Sequence, residues 1–399
     1  MIPSNSDGTD RIMFDFSSLP VIDHHSHPYD PAKATLDPES LARIFYHGTG
    51  DLPTLGVKKA RHWGATDDLR HHFPHLGVVQ TLVCQLSKVF QCPADLEAVA
   101  AERNRRTSES FADYARFLYE DAGIVASVLD SGLSKNDPLL ELIPGKQMRL
   151  FQVEPPLEKG LQQSASYKEM LRGYQEALDR SVRQDNFVGV KSHLAERVGF
   201  GVEPVWEAEA EAAFPAAKTG NAEAFKKVYV AVFTATLLQC QELKVPVHLH
   251  TGITGGFWNG PIHHADPFLL ASFLRQPKFL QTRIVLLHAA YPWVQHAAEM
   301  AHALPHTWVD LAWTTPWTSL RIADCFREAM SIAPLSKLTI GSGGHDIPEI
   351  AWLASKVSKI GLAEVLEDAV RLGLIAPKQA EKVARMILHD NAARLYGLR

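Results

Sequence analysis

Two histidines spaced one residue apart, His25 and His27, are the strongest chemical signal in this chain of 399 residues. They follow the apolar run at 19–22 and lie where a short strand would end. Side chains alternate between the two faces of a strand, so Asp23, His25 and His27 are predicted to point the same way. Two imidazoles that converge at a strand end readily bind a divalent metal.

Three later segments repeat this arrangement of an apolar run with a possible ligand at its end. Lys191 closes FVGVK, His250 closes VPVHLH, and His288 closes RIVLLH. A fourth run, KLTIGSGGHD, brings polar residues to its end. This order of ligands fits a metal site at the carboxyl ends of the strands of a parallel barrel.

The rest of the chain alternates short apolar runs with helical stretches, which predicts one α/β barrel over residues 1–399. Eight strands are predicted, at 20–24, 124–130, 148–154, 187–192, 245–250, 283–288, 307–311 and 337–342. The stretch at about 30–120 is too long for an ordinary connection and has the pattern of several amphipathic helices, so we expect a helical cap. A final helix near 381–398 is expected to pack outside the barrel.

The chain resembles the amidohydrolase superfamily over nearly its whole length. The stretches that carry the likeness include IDHHSHP, VGVKSHLAERVGF, VPVHLHTGITGG, LLHAAYPW and GSGGHDIPEIAWLASK. Within the superfamily it is most similar to the amidohydrolase-2 type domain of the FluG and nodulin group. The resemblance implies a (β/α)8 TIM barrel with a helical insertion after strand one. It also implies one or two divalent ions, zinc first, with manganese or iron as alternatives.

The resemblance also implies roles for individual residues. The metal ligands would be His25, His27, Lys191, His250 and His288. The superfamily often carboxylates a lysine at the end of strand four, so Lys191 would either bridge two ions as a carbamate or act as a cation that binds substrate. His288 and Lys191 would take part in catalysis.

Strand eight departs from the family pattern. An aspartate is expected where this chain has Gly343, and glycine can neither bind metal nor accept a proton. Either Asp346, His345 or Glu349 reaches back, or the usual hydrolytic base is missing. Asp346 is our first choice, and the alternative is that it caps the following helix.

Substrate contacts are predicted from residues that follow the strands. Arg197 could hold a carboxylate through a two-pronged hydrogen bond, and otherwise it is a solvated loop residue. The other candidates are His248, His345 and Trp258, with Trp293 and Trp313 as further walls of a pocket and Glu154 and Asp310 as residues that orient the ligands.

Composition limits the partners. The net charge of −5 and the pI near 6.4 give no general attraction to nucleic acid or to an anionic membrane. No apolar stretch approaches the roughly 20 residues that span a bilayer, and the first residues lack the apolar core of a secretory signal. We therefore expect a cytoplasmic enzyme that acts on a small molecule, with a homo-oligomer left open.

The function predicted from these features is metal-dependent hydrolysis of an amide bond. Metal-activated water would attack the carbonyl, and the coupling of similar domains with glutamine synthetase suggests a γ-glutamyl amide. Two alternatives stay open. One is a non-hydrolytic barrel enzyme, such as a decarboxylase or a uronate-isomerase-like enzyme, and the other is a non-catalytic scaffold that keeps the fold.

Overall fold

A computed structural model describes residues 14–46, 67–252 and 262–398. Within them the strands form one parallel sheet in the order β8-β7-β6-β5-β4-β3-β2-β1-β9. The strands are β1 Val21–Tyr29, β2 Ile124–Leu129, β3 Lys146–Gln152, β4 Gly189–Ser192, β5 Val247–Leu249, β6 Ile284–Leu286, β7 Thr307–Asp310, β8 Leu338–Thr339 and β9 Gly344–Asp346. This curled sheet, surrounded by helices, confirms the predicted TIM-barrel fold.

The predicted eighth strand is broken into β8 and β9, and this break closes the barrel. β8 pairs with β7, whereas β9 pairs with β1. Between them the amide of His24 donates to the carbonyl of Ile340, and the amide of Gly343 donates to the carbonyl of His25, at 3.0 and 2.8 Å. The irregular segment after β8 therefore lies directly beside the strand that carries the histidine pair.

Helices surround the sheet and fill the predicted insertion. They are α1 Pro38–Arg43, α2 Asp67–His72, α3 Gly77–Phe90, α4 Leu96–Glu109, α5 Phe111–Ala122, α6 Glu154–Gln163, α7 Tyr167–Arg183, α8 Leu194–Val198, α9 Glu207–Lys218, α10 Ala222–Leu243, α11 Ala271–Leu274, α12 Val294–Ala303, α13 Thr314–Trp317, α14 Ile322–Met330, α15 Pro348–Arg371, α16 Pro377–Arg385 and α17 Asn391–Tyr396. Among the described residues, no helix is both long and apolar enough to cross a membrane.

The insertion contributes five described helices between β1 and β2. Of these, α5 packs against β2 and α15, and α3 packs against α13, the short helix that follows β7. Part of the predicted cap thus belongs to the outer helical layer of the barrel. The assignment of residues 1–399 to one domain stays a prediction.

The C-terminal helix does not lie outside the barrel, and that expectation was wrong. Ala392 of α17 packs with Ile22 of β1 and Val128 of β2, and Leu395 packs with Val285 of β6. The hydroxyl of Tyr396 lies 2.8 Å from Nε2 of both His24 and His248. The helix is held inward because it completes the apolar lining and satisfies two buried imidazoles.

A buried ion pair joins the insertion to the barrel. Arg103 of α4 pairs with Glu349 in the first turn of α15, and both side chains are fully buried. The guanidinium also donates to the carbonyls of Lys33 and Ala34, and Tyr114 of α5 donates to the same carboxylate. Because both charges are removed from water, loss of either partner would leave the other uncompensated.

We predict that Arg103→Met lowers the free energy of unfolding by about 3 kcal/mol or more, because it strands the buried Glu349 carboxylate. Urea unfolding followed by circular dichroism measures this change. The matched control is Arg105→Met on the same helix, whose ion pairs with Glu102 and Glu109 are largely exposed. The control should change stability by about 0.5 kcal/mol or less, and equal effects of the two variants would contradict the prediction.

Candidate metal and catalytic site

An irregularity in β1 aims the histidine pair. The register of β1 against β2 shifts between Asp23 and Ser26, so the regular alternation of side chains is broken there. Asp23 accepts hydrogen bonds from the amide and the hydroxyl of Ser342, at 2.7 and 2.6 Å. The expectation that Asp23 converges with His25 and His27 was therefore wrong, because the bulge turns the carboxylate toward the strand-eight segment.

Four imidazoles line up across the carboxyl ends of β1, β5 and β6. The ring centroids of His25 and His27 are 4.9 Å apart, and those of His25 and His288 are 5.3 Å apart. The rings of His288 and His250 follow at 4.4 Å. The structure thus brings together the four histidines that the sequence proposes as metal ligands.

His288 has an unusual backbone conformation. His288, Ala289 and Ala290 are consecutive non-glycine residues with positive φ, at 64°, 46° and 51°. Such backbone is costly and persists only where the surroundings enforce it. The hydroxyl of Thr314 donates to the carbonyl of His288 at 2.7 Å and helps to hold this turn. The strain fixes the imidazole at the end of β6, where it faces the other histidines.

The ring nitrogens have the hydrogen-bonding pattern of metal ligands. Nδ1 of His27 lies 2.8 Å from the carbonyl of Asp130, and Nδ1 of His288 lies 3.1 Å from the carbonyl of Ala312. Each bond places the proton on Nδ1 and leaves Nε2 as a lone pair. Among the described residues, the two ring nitrogens of the buried His25 have no hydrogen-bond partner. The same holds for Nε2 of His288. Lone pairs without partners in a buried cluster fit a divalent ion.

Burial keeps these imidazoles neutral, which is the form that binds metal. It lowers the pKa of His27 to about 4 and the pKa of His288 to about 3, and the positive charge of Lys191 acts in the same direction. The pKa values of His25 and His250 lie well below their usual range for the same two reasons. The cluster therefore needs little proton release to accept an ion near neutral pH.

Lys191 forms a buried ion pair with an aspartate that the sequence analysis missed. Its Nζ donates to Oδ2 of Asp130 at 2.9 Å, and both side chains are 1% exposed. The Asp130 carboxylate also accepts from Gln152 at 2.6 Å. Burial opposes ionisation of Asp130, but Lys191, His27 and His193 together outweigh it and lower the carboxyl pKa far below its usual range. Carboxylation of Lys191 stays a prediction.

Asp130 completes a group of three possible ligands with His25 and His27. One ligand atom from each of the three lies within 4.8 Å of the others. The available signal was its position, because Asp130 is the last residue of the predicted strand 124–130, as Lys191 is the last polar residue of FVGVK. A carboxylate at the end of strand two thus occupies a position equivalent to that of the lysine at the end of strand four.

A second group of possible ligands lies beside the first and was also missed. His193, Glu196 and His250 each offer an atom within 4.8 Å of the others. Burial raises the pKa of Glu196 to about 7, although His193 opposes this rise. Burial and Lys191 lower the pKa of His193, but the carboxylates of Glu154 and Glu196 more than compensate and raise it. The motif KSHLAER contains both new residues next to Lys191.

The strand-eight corner is tightly packed around Gly343, where the family pattern has an aspartate. Gly343 has φ of +58°, and a Cβ there would lie 3.0 Å from the amide nitrogen of Trp313. A side chain at this position would need both a strained backbone conformation and a shift of the Trp313 segment, so the corner is built around the glycine. Glu349 is excluded as a substitute, since it is committed to Arg103 and Tyr114.

Asp346 lies at the mouth on β9, opposite Tyr29 of β1. Its carboxylate lies 3.3 Å from Nδ1 of His345 and is 41% exposed. The hydrogen bond from His345 outweighs partial burial and lowers the pKa of Asp346, and His27 is near enough to contribute in the same direction. Asp346 is thus an ionised carboxylate near the histidines, and its catalytic role stays a prediction.

Other predicted contacts have partners within the protein. His248 is fully buried below the site, where it bonds Tyr396 and stacks on His24, and Asp310 lies 3.1 Å from Nδ1 of His24. Arg197 of α8 pairs with Glu158 of α6. Substrate binding by His248, His345 and Arg197 stays a prediction, and Trp258 lies outside the described residues.

Glu154 and Asp310 were predicted to orient the metal-binding histidines, but each contacts a histidine outside that set of four. Glu154 lies 3.2 Å from Nδ1 of His193, so it does position a histidine at the mouth, although not one of the four predicted ligands.

Trp313 stacks on Trp317 with ring centroids 5.4 Å apart, and the ring centroid of Tyr291 lies 6.1 Å from that of Trp313. These rings form an apolar wall after β6 and β7, of which Trp317 and Tyr291 were not predicted.

Comparison with known proteins decides the family. The sequence model of the amidohydrolase family matches residues 172–398. The chain belongs to the amidohydrolase family. It is also 25% identical over 351 residues to the protein FluG of Emericella nidulans. That alignment covers 79% of this chain but 40% of FluG, so the chain spans well under half of that relative.

Solved structures show the same fold. A protein of Lactobacillus casei, provisionally described as a metal-dependent hydrolase, superposes with a TM-score of 0.79 at 20% identity, over 96% of this chain and 98% of the other. The uronate isomerase of Thermotoga maritima gives 0.67 at 16% identity over 95% of both chains. The Bacillus halodurans uronate isomerase gives 0.63 at 13% identity over 96% and 94%. These three proteins share their architecture with this chain.

We predict that the double variant His25→Ala, His27→Ala loses divalent metal, because it removes two of the converging nitrogens. Elemental analysis of protein loaded with zinc and then desalted measures the ratio of metal to chain. His302→Ala, on the exposed side of α12, is the matched control and should keep the metal. Retention of wild-type metal content by the double variant would refute the assignment.

Proposed function

We propose that this chain is a metal-dependent hydrolase that cleaves the C–N bond of a small amide. The observation that carries the proposal is the buried group of His25, His27 and Asp130, with His288 beside it, at the carboxyl ends of the strands. Active sites of TIM barrels lie at this end. Family membership supports an enzyme, and the neutral imidazoles and the ionised carboxylate suit a zinc-like ion.

The residues of the chain divide the work of hydrolysis. A divalent ion bound by His25, His27 and Asp130 would polarise a carbonyl and make water nucleophilic at neutral pH. Lys191, held by Asp130, places positive charge where negative charge develops on the carbonyl oxygen. Asp346 is ionised and can accept the proton of the attacking water, and His345 at 3.3 Å can pass it to the leaving amine.

The substrate class is proposed from the relative and from the site. The likeness to FluG, together with the association of similar domains with glutamine synthetase, suggests a γ-glutamyl amide. Arg197 lies on α8, the helix that follows the strand of Lys191, and would exchange Glu158 for a substrate carboxylate. The stacked Trp313 and Trp317 rings would contact the apolar part of an amine leaving group.

A second candidate function is a non-hydrolytic reaction of a uronate or another carboxylic acid. The observation that favours it is the strand-eight corner, where Gly343 replaces the carboxylate that would serve as hydrolytic base and a side chain would press on Trp313. The two functions predict different products. Hydrolysis releases an amine and a carboxylate, whereas isomerisation conserves the mass of the substrate and decarboxylation releases carbon dioxide.

The test is product analysis with zinc-loaded enzyme. A panel of γ-glutamyl amides, other N-acyl amides and hexuronates is incubated with enzyme, and the products are separated by mass spectrometry. The proposal expects amine release that depends on His25 and His27. Turnover of hexuronates to products of equal mass, without amine release from any amide, would overturn it in favour of the second candidate.

We predict that Asp346→Asn lowers kcat by about 100-fold or more and leaves KM within about threefold, because it removes a proton acceptor and not a binding group. Steady-state kinetics on the best amide substrate measures both constants. The matched control is Asp266→Asn, which removes the carboxylate of another Asp–His pair, with His296. An Asp346→Asn variant as active as wild type would exclude this residue as the base.

A further inference from the structure

We propose that Tyr396 is a positioning residue for the metal site, and that it acts through a polar bridge inside the barrel. The bridge consists of the Tyr396 hydroxyl, the imidazoles of His24 and His248, and the Asp310 carboxylate. It holds the two strands that carry His25 and His250. The inference rests on the proposed metal site, but the bridge itself can be tested without an ion.

The bridge crosses the barrel from one side to the other. His24 belongs to β1 and His248 to β5, and these strands are four places apart in the order of the described sheet, so they do not pair with each other. Strands so placed lie on opposite sides of a (β/α)8 barrel. The Tyr396 hydroxyl lies 2.8 Å from Nε2 of both imidazoles, and the two rings stack with centroids 5.1 Å apart. One hydroxyl therefore links strands that the sheet leaves unconnected.

A polar bridge at this depth is unusual for a barrel interior. Bulky apolar side chains ordinarily fill this space, and Ile22 and Val128 do so beside the bridge. The side chains of His24, His248 and Asp310 are fully buried. Buried polar groups are costly unless they are hydrogen-bonded, and apolar side chains would fill the same volume without that cost. The bridge therefore points to a role beyond packing.

Asp310 sets the direction of the hydrogen bonds. A hydroxyl has one proton, so Tyr396 donates to one imidazole and accepts from the other. Oδ2 of Asp310 lies 3.1 Å from Nδ1 of His24 and accepts from the hydroxyl of Thr339 at 2.9 Å. An acceptor beside Nδ1 draws the ring proton to that nitrogen. Nε2 of His24 is then the lone pair that accepts from Tyr396.

His248 takes the opposite role. Burial lowers the pKa of His248 well below its usual range, so the ring is neutral and carries one proton. When Nε2 donates this proton to the oxygen of Tyr396, Nδ1 is a lone pair. Among the described residues Nδ1 of His248 has no hydrogen-bond partner, and unpaired acceptors are more common in protein interiors than unpaired N–H groups. The bonds therefore run from His248 through Tyr396 to His24.

The bridge holds the ligand-bearing strands next to the ligands themselves. His24 precedes His25 in the part of β1 where the register against β2 shifts, and its ring is held by Asp310 on one side and by Tyr396 on the other. Fixing this inward ring fixes the bulged backbone and, with it, the direction of the His25 ring. His248 lies two residues before His250, so the same hydroxyl sets the position of the opposite strand.

The first test is zinc affinity, measured by isothermal titration of the full chain. Tyr396→Phe keeps the aromatic ring and removes the hydroxyl, and it should weaken zinc binding by about 10-fold. The matched control is Tyr174→Phe, which removes a buried hydroxyl that bonds Thr236 at 2.8 Å between α7 and α10. The control should keep wild-type zinc affinity. Equal zinc affinities of the two variants would overturn the inference.

The second test reads the two tautomers from ring nitrogen shifts in NMR spectra of histidine-labelled wild-type protein without metal. Contacts with the Tyr396 ring assign the two signals, and the result stands even if Tyr396→Phe fails to fold. Protons on Nδ1 of His24 and on Nε2 of His248 support the bridge, whereas a proton on Nδ1 of His248 would overturn it. Wild-type protein that binds no zinc would contradict the proposed function, and the tautomers alone would then decide this inference.

Discussion

The buried ion pair between Lys191 and Asp130 is the interaction on which the electrostatics of the site depend. It places one fixed positive charge among four imidazoles, and that charge adds to burial in lowering the pKa of each of them. It also keeps the Asp130 carboxylate ionised in a place where burial alone would protonate it. Neutral imidazoles beside an ionised carboxylate are what a divalent cation requires, so the pair prepares the site before any ion binds.

Two departures from regular strand geometry put the ligands in reach of this pair. The bulge in β1 lets His24 face the barrel interior and Tyr396 while His25 faces His288. The break between β8 and β9 closes the barrel through Gly343, at the cost of the side chain that the family places there. Regular strands would pair more of their backbone N–H and C=O groups with neighbouring strands. The irregularities occur at the site, where backbone strain is commonly found.

The sequence was sufficient for the barrel and for the histidines, because both follow from the position of a residue at the end of an apolar run. It was not sufficient for Asp23, since a bulge reverses the side on which a residue lies and no local pattern announces it. Glu196 was missed for a different reason: it lies on a short helix after β4, and its approach to His250 depends on how two neighbouring strands are staggered. The inward packing of α17 likewise depends on contacts between distant parts of the chain.

The proposed chemistry requires that the converging imidazoles and Asp130 bind a divalent cation. The most direct measurement is an anomalous difference map from crystals of the zinc-loaded protein, recorded on both sides of the zinc absorption edge. We expect a strong peak between His25, His27 and the Asp130 carboxylate that vanishes below the edge. Fully occupied zinc found only at exposed histidines such as His71 and His75, with no peak inside the barrel mouth, would contradict it.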